Sequence, residues 1–100
     1  MLNMKLFSTD DGAEVKLIGR VDATNAQAAE EHLVQAAKGY DNLTLNLEQL
    51  DYISSAGLRA LQGAFLTMRR KGGKFLVKGV NRNIMEVFQI TGFAGMITFI

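Results

Sequence analysis

The 100-residue chain contains no cysteine and no proline, and it has a single histidine, His32. Without cysteine there is no disulfide framework, no thiolate zinc site, no iron–sulfur cluster and no cysteine nucleophile. One histidine excludes any site that needs two, such as a His–His zinc pair. No metal site and no cofactor is therefore expected. Charge of one sign is also scarce: eleven Lys and Arg face ten Asp and Glu, for a formal net charge of +1. A dedicated nucleic-acid binder carries a larger and more clustered basic excess, so no direct nucleic-acid contact is expected. No apolar run approaches the ~18 residues that a membrane span requires. The start, Met1-Leu2-Asn3-Met4-Lys5, runs directly into alternating sequence. It lacks the apolar stretch and small-residue cleavage site of a secretory signal. A reducing cytoplasm is the expected compartment.

What is present is ordinary for one globular domain over residues 1–100: 48% apolar and 21% charged residues. A chain of this length buries roughly two-thirds of its unfolded surface, enough for one modest core. Residues Met4 to Ser8 alternate weakly, Asp10-Asp11-Gly12 reads as a turn, and Glu14 to Gly19 reads as a second strand. Together they predict an antiparallel hairpin. Ala26, Ala29, Leu33 and Ala36 or Ala37 recur at helical spacing. Thr24 with Gln27 fits a capping box at the start of that helix, and Lys38-Gly39 fits its end. Leu43 to Leu47 alternates as a strand. Leu58, Leu61, Phe65 and Met68 mark a second amphipathic helix ending at Arg69-Arg70-Lys71-Gly72-Gly73.

Phe75-Leu76-Val77 is a short strand, Asn81 is placed to cap a third helix burying Ile84, Val87 and Phe88, and Met96 to Ile100 reads as a last strand. Phe65, Phe75, Phe88 and the five methionines sit at core positions of these patterns. Strands alternating with helices predict an α/β fold with parallel pairing, four or five strands in a mixed sheet, and about three helices on one face or both. Sites in such sheets gather beyond the carboxyl ends of the parallel strands. Three loops qualify: Gly19 to Thr24, Glu48 to Gly57 and Lys78 to Asn81.

The most informative stretch is Asp51-Tyr52-Ile53-Ser54-Ser55-Ala56-Gly57-Leu58, which joins a strand to a helix. Two readings apply to its hydroxyls. Serine is a favoured N-cap, accepting a hydrogen bond from an orphan backbone N–H. A helix N-terminus also tolerates a phosphate, because its free N–H groups and dipole favour negative charge. Gly57 leaves room for another backbone to approach. A serine hydrolase would need the G-x-S-x-G elbow, which is missing, and His32 as base, which no spacing aims at Ser55. Asp22 is either a turn aspartate or a polar contact on the surface that Ser55 shares. Arg69-Arg70-Lys71 compensates a helix C-terminus. Gly72-Gly73 has neither the spacing nor the lysine–hydroxyl pair of a phosphate-cradling loop.

The whole chain resembles a STAS domain of the anti-sigma factor antagonist group. Three stretches carry the likeness. Gly19-Arg20-Val21-Asp22-Ala23 is similar to a strand-end segment of that family. Leu45 to Leu58 resembles its strand, loop and phosphorylatable D-S-[ST]-G-L motif. Lys71 to Val77, followed by Val87 to Phe93, resembles its fourth strand and following helix. The resemblance implies a single STAS domain over residues 1–100 with a mixed sheet and about three helices.

It also implies a non-enzymatic, phosphorylation-switched protein that captures an anti-sigma factor serine kinase while unphosphorylated and releases it once phosphorylated. A serine phosphatase would reset it, and sigma-factor-dependent transcription would be the process regulated. Aligned on Gly57-Leu58, the phospho-acceptor corresponds to Ser55, with Ser54 as a second candidate because it stands where the family has aspartate. The implied partner surface is Asp22, Thr24, Ser54, Ala56, Gly57, Arg59 and Gln62. Many relatives continue into a further helix beyond the position of Ile100. Some apolar surface is therefore expected to be open, or covered by a partner or by a second copy in a weak homodimer. The alternative is a constitutive interaction subunit of a lipid-transport or other ABC-type complex, in which the serines only cap the helix.

Overall fold

Alternation in the first twenty residues closes into a hairpin. In the computed structural model, which describes residues 1–100, β1 (Leu2–Ser8) pairs antiparallel with β2 (Ala13–Val21). The ladder runs from Leu2 opposite Gly19 to Ser8 opposite Ala13. The chain then forms α1 (Ala26–Gly39), β3 (Asn42–Asn46), β4 (Leu50–Ile53), α2 (Ser55–Lys71), β5 (Lys74–Lys78), α3 (Arg82–Ile90) and β6 (Thr98–Phe99). A single 3-10 turn, Phe93–Gly95, precedes β6. No helix is long and apolar enough to cross a membrane.

The sheet runs β1-β2-β3-β5-β6, and all pairs except β1–β2 are parallel. The first half of β2 pairs with β3, while its second half pairs with β4. This is a mixed sheet of six strands, one more than the periodicity suggests. The extra strand is β4. It is only four residues long, and it buries Leu50 and Ile53 while exposing Asp51 and Tyr52. That pattern lacks the period-two alternation by which a strand is read. The last strand is also shorter than Met96 to Ile100, reduced to Thr98 and Phe99.

Inward residues of β2 (Val15, Leu17, Val21), β3 (Leu43, Leu45) and β5 (Phe75, Val77) form one buried cluster. The apolar stripes of all three helices belong to the same cluster. The helices therefore cover one face of the sheet. Full burial of a leucine such as Leu33 contributes about 1.5–3 kcal/mol. Phe65, Phe75, Phe88 and Phe93 meet edge to face, with ring centroids 5.1–6.0 Å apart. The methionines divide: Met68 is fully buried, whereas Met1 and Met96 are exposed, one preceding β1 and one following the 3-10 turn. On the opposite sheet face, Lys78 pairs with Glu14 at 3.2 Å, and the Asn46 amide donates to Glu14 at 3.1 Å.

The ends of α1 differ from expectation. Thr24 is not its cap: the helix starts at Ala26, and Asn25 at the N-cap position makes no side-chain capping bond. The Thr24 hydroxyl donates instead to the Asp22 carboxylate, an ionised acceptor stronger than a neutral one. At the other end, Gly39 is the last helical residue and the chain leaves extended at Tyr40. A left-handed glycine is replaced by a cation from α2. Lys71 Nζ donates to the carbonyls of Ala37, Lys38 and Tyr40 at 3.0, 3.1 and 3.0 Å. By contrast, α2 ends as its sequence suggests, on Gly72 in the left-handed region with φ 74°.

Candidate functional site

The three loops singled out in the sequence are tied to one another by backbone and side-chain hydrogen bonds. The Ser54 N–H donates to the Val21 carbonyl at 2.9 Å, and the Gly19 N–H donates to Gln49 at 2.9 Å. Leu47 N–H donates to Lys78 at 2.9 Å. Asn81 caps α3 by accepting from the Ile84 N–H at 2.9 Å, and its amide donates to the Leu50 carbonyl at 3.0 Å. The β2–α1, β4–α2 and β5–α3 connections thus share one end of the sheet.

At its centre two neighbouring serines have different surroundings. Ser54 is extended, and its Oγ accepts from the Gly57 N–H at 3.1 Å, capping α2. Ser55 is the first helical residue, is exposed, and its hydroxyl has no intramolecular partner. The helix beneath is 17 residues long, with three basic residues in its last turn and none of the first-turn acids that would offset its positive end. Ala56 is half-buried. Gly57 is buried, and a Cβ there would lie 2.8 Å from the Ile53 side chain and 2.9 Å from the Val21 carbonyl. Only a residue without a side chain fits this crossing without displacing backbone.

Asp22 leaves β2 beside this loop. Hydrogen bonds from the Thr24 hydroxyl and backbone N–H, with a further contribution from Arg20, hold its carboxyl below the usual aspartate range. Arg20 Nε lies 3.1 Å from the Asp22 carboxylate, and the guanidinium sits 4.7 Å from the centre of the Tyr52 ring. Asn25 completes the loop by accepting from the Asp22 N–H at 2.9 Å and donating to the Arg20 carbonyl at 3.0 Å. Arg20, Asn25 and Tyr52 were not singled out from the sequence. Arg20 and Tyr52 are opposite residues of the β2–β4 ladder, so without β4 their pairing has no visible signal.

Arg59 and Gln62 lie one and two turns after Ser55 on the same face of α2, exposed and half-buried respectively. Neither is hydrogen-bonded to Asp22 or to Ser55. His32 stands apart from the serines. It lines a groove between α1 and β1 together with Leu2, Met4 and Ala36, and no hydrogen bond joins it to Ser55.

The STAS domain family matches residues 6–100 of this chain, and the chain belongs to that family. The anti-sigma-B factor antagonist of Bacillus subtilis is 25% identical over 96 residues, covering 96% of this chain and 88% of that protein. The crystal structure of an anti-sigma factor antagonist from Mycobacterium paratuberculosis superposes with a TM-score of 0.88 at 18% identity, covering 99% of this chain and 85% of that one. The Bacillus cell fate determinant SpoIIAA in its phosphorylated form superposes with a TM-score of 0.75 at 16% identity, covering 100% and 91%.

Proposed function

We propose that this protein is an anti-sigma factor antagonist whose affinity for a serine-kinase anti-sigma factor is switched by phosphorylation of Ser55. The observation that carries this reading is the division of labour between the two serines. Ser54 is occupied in capping α2, while the adjacent Ser55 presents a free, exposed hydroxyl at the positive end of the same helix. A phosphoryl group there adds about −1.5 to −2 charges and is tolerated by the helix. Family membership and the relative solved in a phosphorylated form support the same reading.

In this scheme the kinase transfers the γ-phosphoryl group of ATP to the Ser55 oxygen, ADP leaves and the hydroxyl proton is lost. A serine phosphatase later hydrolyses the ester with water. The domain performs no chemistry of its own and acts in the cytoplasm. The docking surface is Asp22, Thr24, Ser54, Ala56, Gly57, Arg59 and Gln62, set on the β2–α1 connection, on the N-cap of α2 and on its first two turns. Arg20 and Tyr52 extend it, because each is exposed beside Asp22. The constitutive-subunit alternative explains Ser54 but leaves the unpartnered Ser55 hydroxyl without a role. Incubation with the cognate kinase and ATP, followed by mass-spectrometric mapping, tests the proposal. Phosphate is expected on Ser55; phosphate confined to Ser54 or to any other residue contradicts it.

A further inference from the structure

The two edges of the sheet are unlike. One is β6, two residues long, which offers little for another strand to pair with. The other is β1, seven residues long, with no chain beyond it. Its sequence, Leu-Asn-Met-Lys-Leu-Phe-Ser, has one charge to blunt it and no proline. Leu6 is 46% exposed and Phe7 48%.

The hydrogen-bonding side of each β1 residue follows from the hairpin register. The Arg20 N–H donates to the Met1 carbonyl, and residue numbers across the ladder sum to 21 throughout. In an antiparallel pair, residues alternate between those that exchange hydrogen bonds with the partner strand and those that do not. Asn3, Lys5 and Phe7 therefore turn their backbone groups toward β2. Leu2, Met4, Leu6 and Ser8 turn theirs outward. The side chains of Leu2, Met4 and Leu6 line the groove under α1, whose volume is about 350 Å³ and whose other walls include Val15, Ala29 and Ala36.

We propose that β1 pairs antiparallel with β1 of a second copy of this chain, with Met4 opposite Met4 on the two-fold axis. Side-chain and charge complementarity select both the occupant and the register. With Met4 at the centre, Leu2 faces Leu6 of the partner subunit, so the groove face is apolar against apolar. On the other face, Lys5 lies opposite an uncharged residue, Asn3 of the partner subunit. Centring on Lys5 instead places two ammonium groups directly opposite each other, which is unfavourable. Centring on Leu6 sets Lys5 against an aromatic ring and Met4 against a serine. The outward N–H and C=O groups of Leu2, Met4 and Leu6 are the ones this register consumes. Five paired residues span about 17 Å of ladder, a contact of the small, transient class below about 1,200 Å². The Ser55 end of α2 projects from the β4 side of β2, away from this edge, so both copies keep it accessible.

Sedimentation velocity over a range of concentrations, with residue-resolved amide hydrogen exchange on the same samples, tests the proposal. The sedimentation coefficient is expected to rise toward that of a dimer. The amides of Leu2, Met4 and Leu6 are expected to slow in step with it, while that of Ser8 does not. Leu6→Lys, at a position 46% exposed, is expected to weaken association by about tenfold or more. A chain that stays monomeric at every concentration overturns the proposal. So does a dimer in which those three amides exchange as in the monomer. Protection of Ser8 overturns the register.

Discussion

The Oγ of Ser54 accepts a hydrogen bond from the Gly57 N–H at 3.1 Å, so the residue before Ser55 holds the start of α2 while Ser55 does not. Ser54→Ala removes that acceptor and is expected to cost about 1 kcal/mol, within the 0.5–2 range typical of lost caps. Ser55→Ala touches no intramolecular bond and is expected to stay within about 0.5 kcal/mol of the parent. Urea unfolding of the two variants checks the contrast, and equal losses would contradict it.

Gly57 stands where the start of α2 crosses β2 and β4. Gly57→Ala drives a methyl group to within 2.9 Å of the Val21 carbonyl and 2.8 Å of the Ile53 side chain. Backbone has to move, and overpacking of this kind costs about 1–3 kcal/mol. The shift falls on the Ser54–Ser55 loop itself. Loss of both stability and kinase binding is expected, read by thermal unfolding and by isothermal titration.

Lys71 ties α2 to α1 through three carbonyls at the end of α1. Lys71→Met keeps the aliphatic stem and removes the ammonium. Hydrogen bonds to a charged group contribute about 1.5–3 kcal/mol, so a loss of that order is expected in denaturant unfolding. Asp41, 3.7 Å from the same ammonium but 92% exposed, adds little. Asp41→Asn is expected to unfold with the parent.

Asp22 makes the stability of the β2–α1 loop sensitive to acid. The Thr24 hydroxyl and N–H favour its ionised form, so its folded pKa lies below the ordinary aspartate value. The contribution is fully present above that ordinary value and is lost as pH falls through the lowered folded one. Glu14 behaves in the same sense, held down first by the Asn46 amide and then by Lys78. Asp22→Asn and Glu14→Gln are each expected to flatten the decline of the urea midpoint in the acid range. A decline as steep as the parent's would contradict this.

Much of the fold was legible because its signals are local. The core stripe of α2, its glycine end and the Asn81 cap all follow from spacing within one element. What escaped depends on contacts between distant segments. Thr24 looks like a cap until Asp22 is seen to take its hydroxyl. Gly39 looks like a helix stop until Lys71, more than thirty residues away, is seen to satisfy the carbonyls there. The site divides in the same way. The serine pair and Gly57 stand out as a motif. The Arg20–Tyr52 stack needs a strand too short to show a period.

The most direct measurement compares two forms of the purified protein, one with the Ser55 hydroxyl free and one carrying phosphoserine at that position. Affinity of each for the cognate anti-sigma factor kinase is read by isothermal titration. The switch predicts tight binding by the free form and binding at least about tenfold weaker by the phosphorylated one, about 1.4 kcal/mol or more. Equal affinity of the two forms would contradict it.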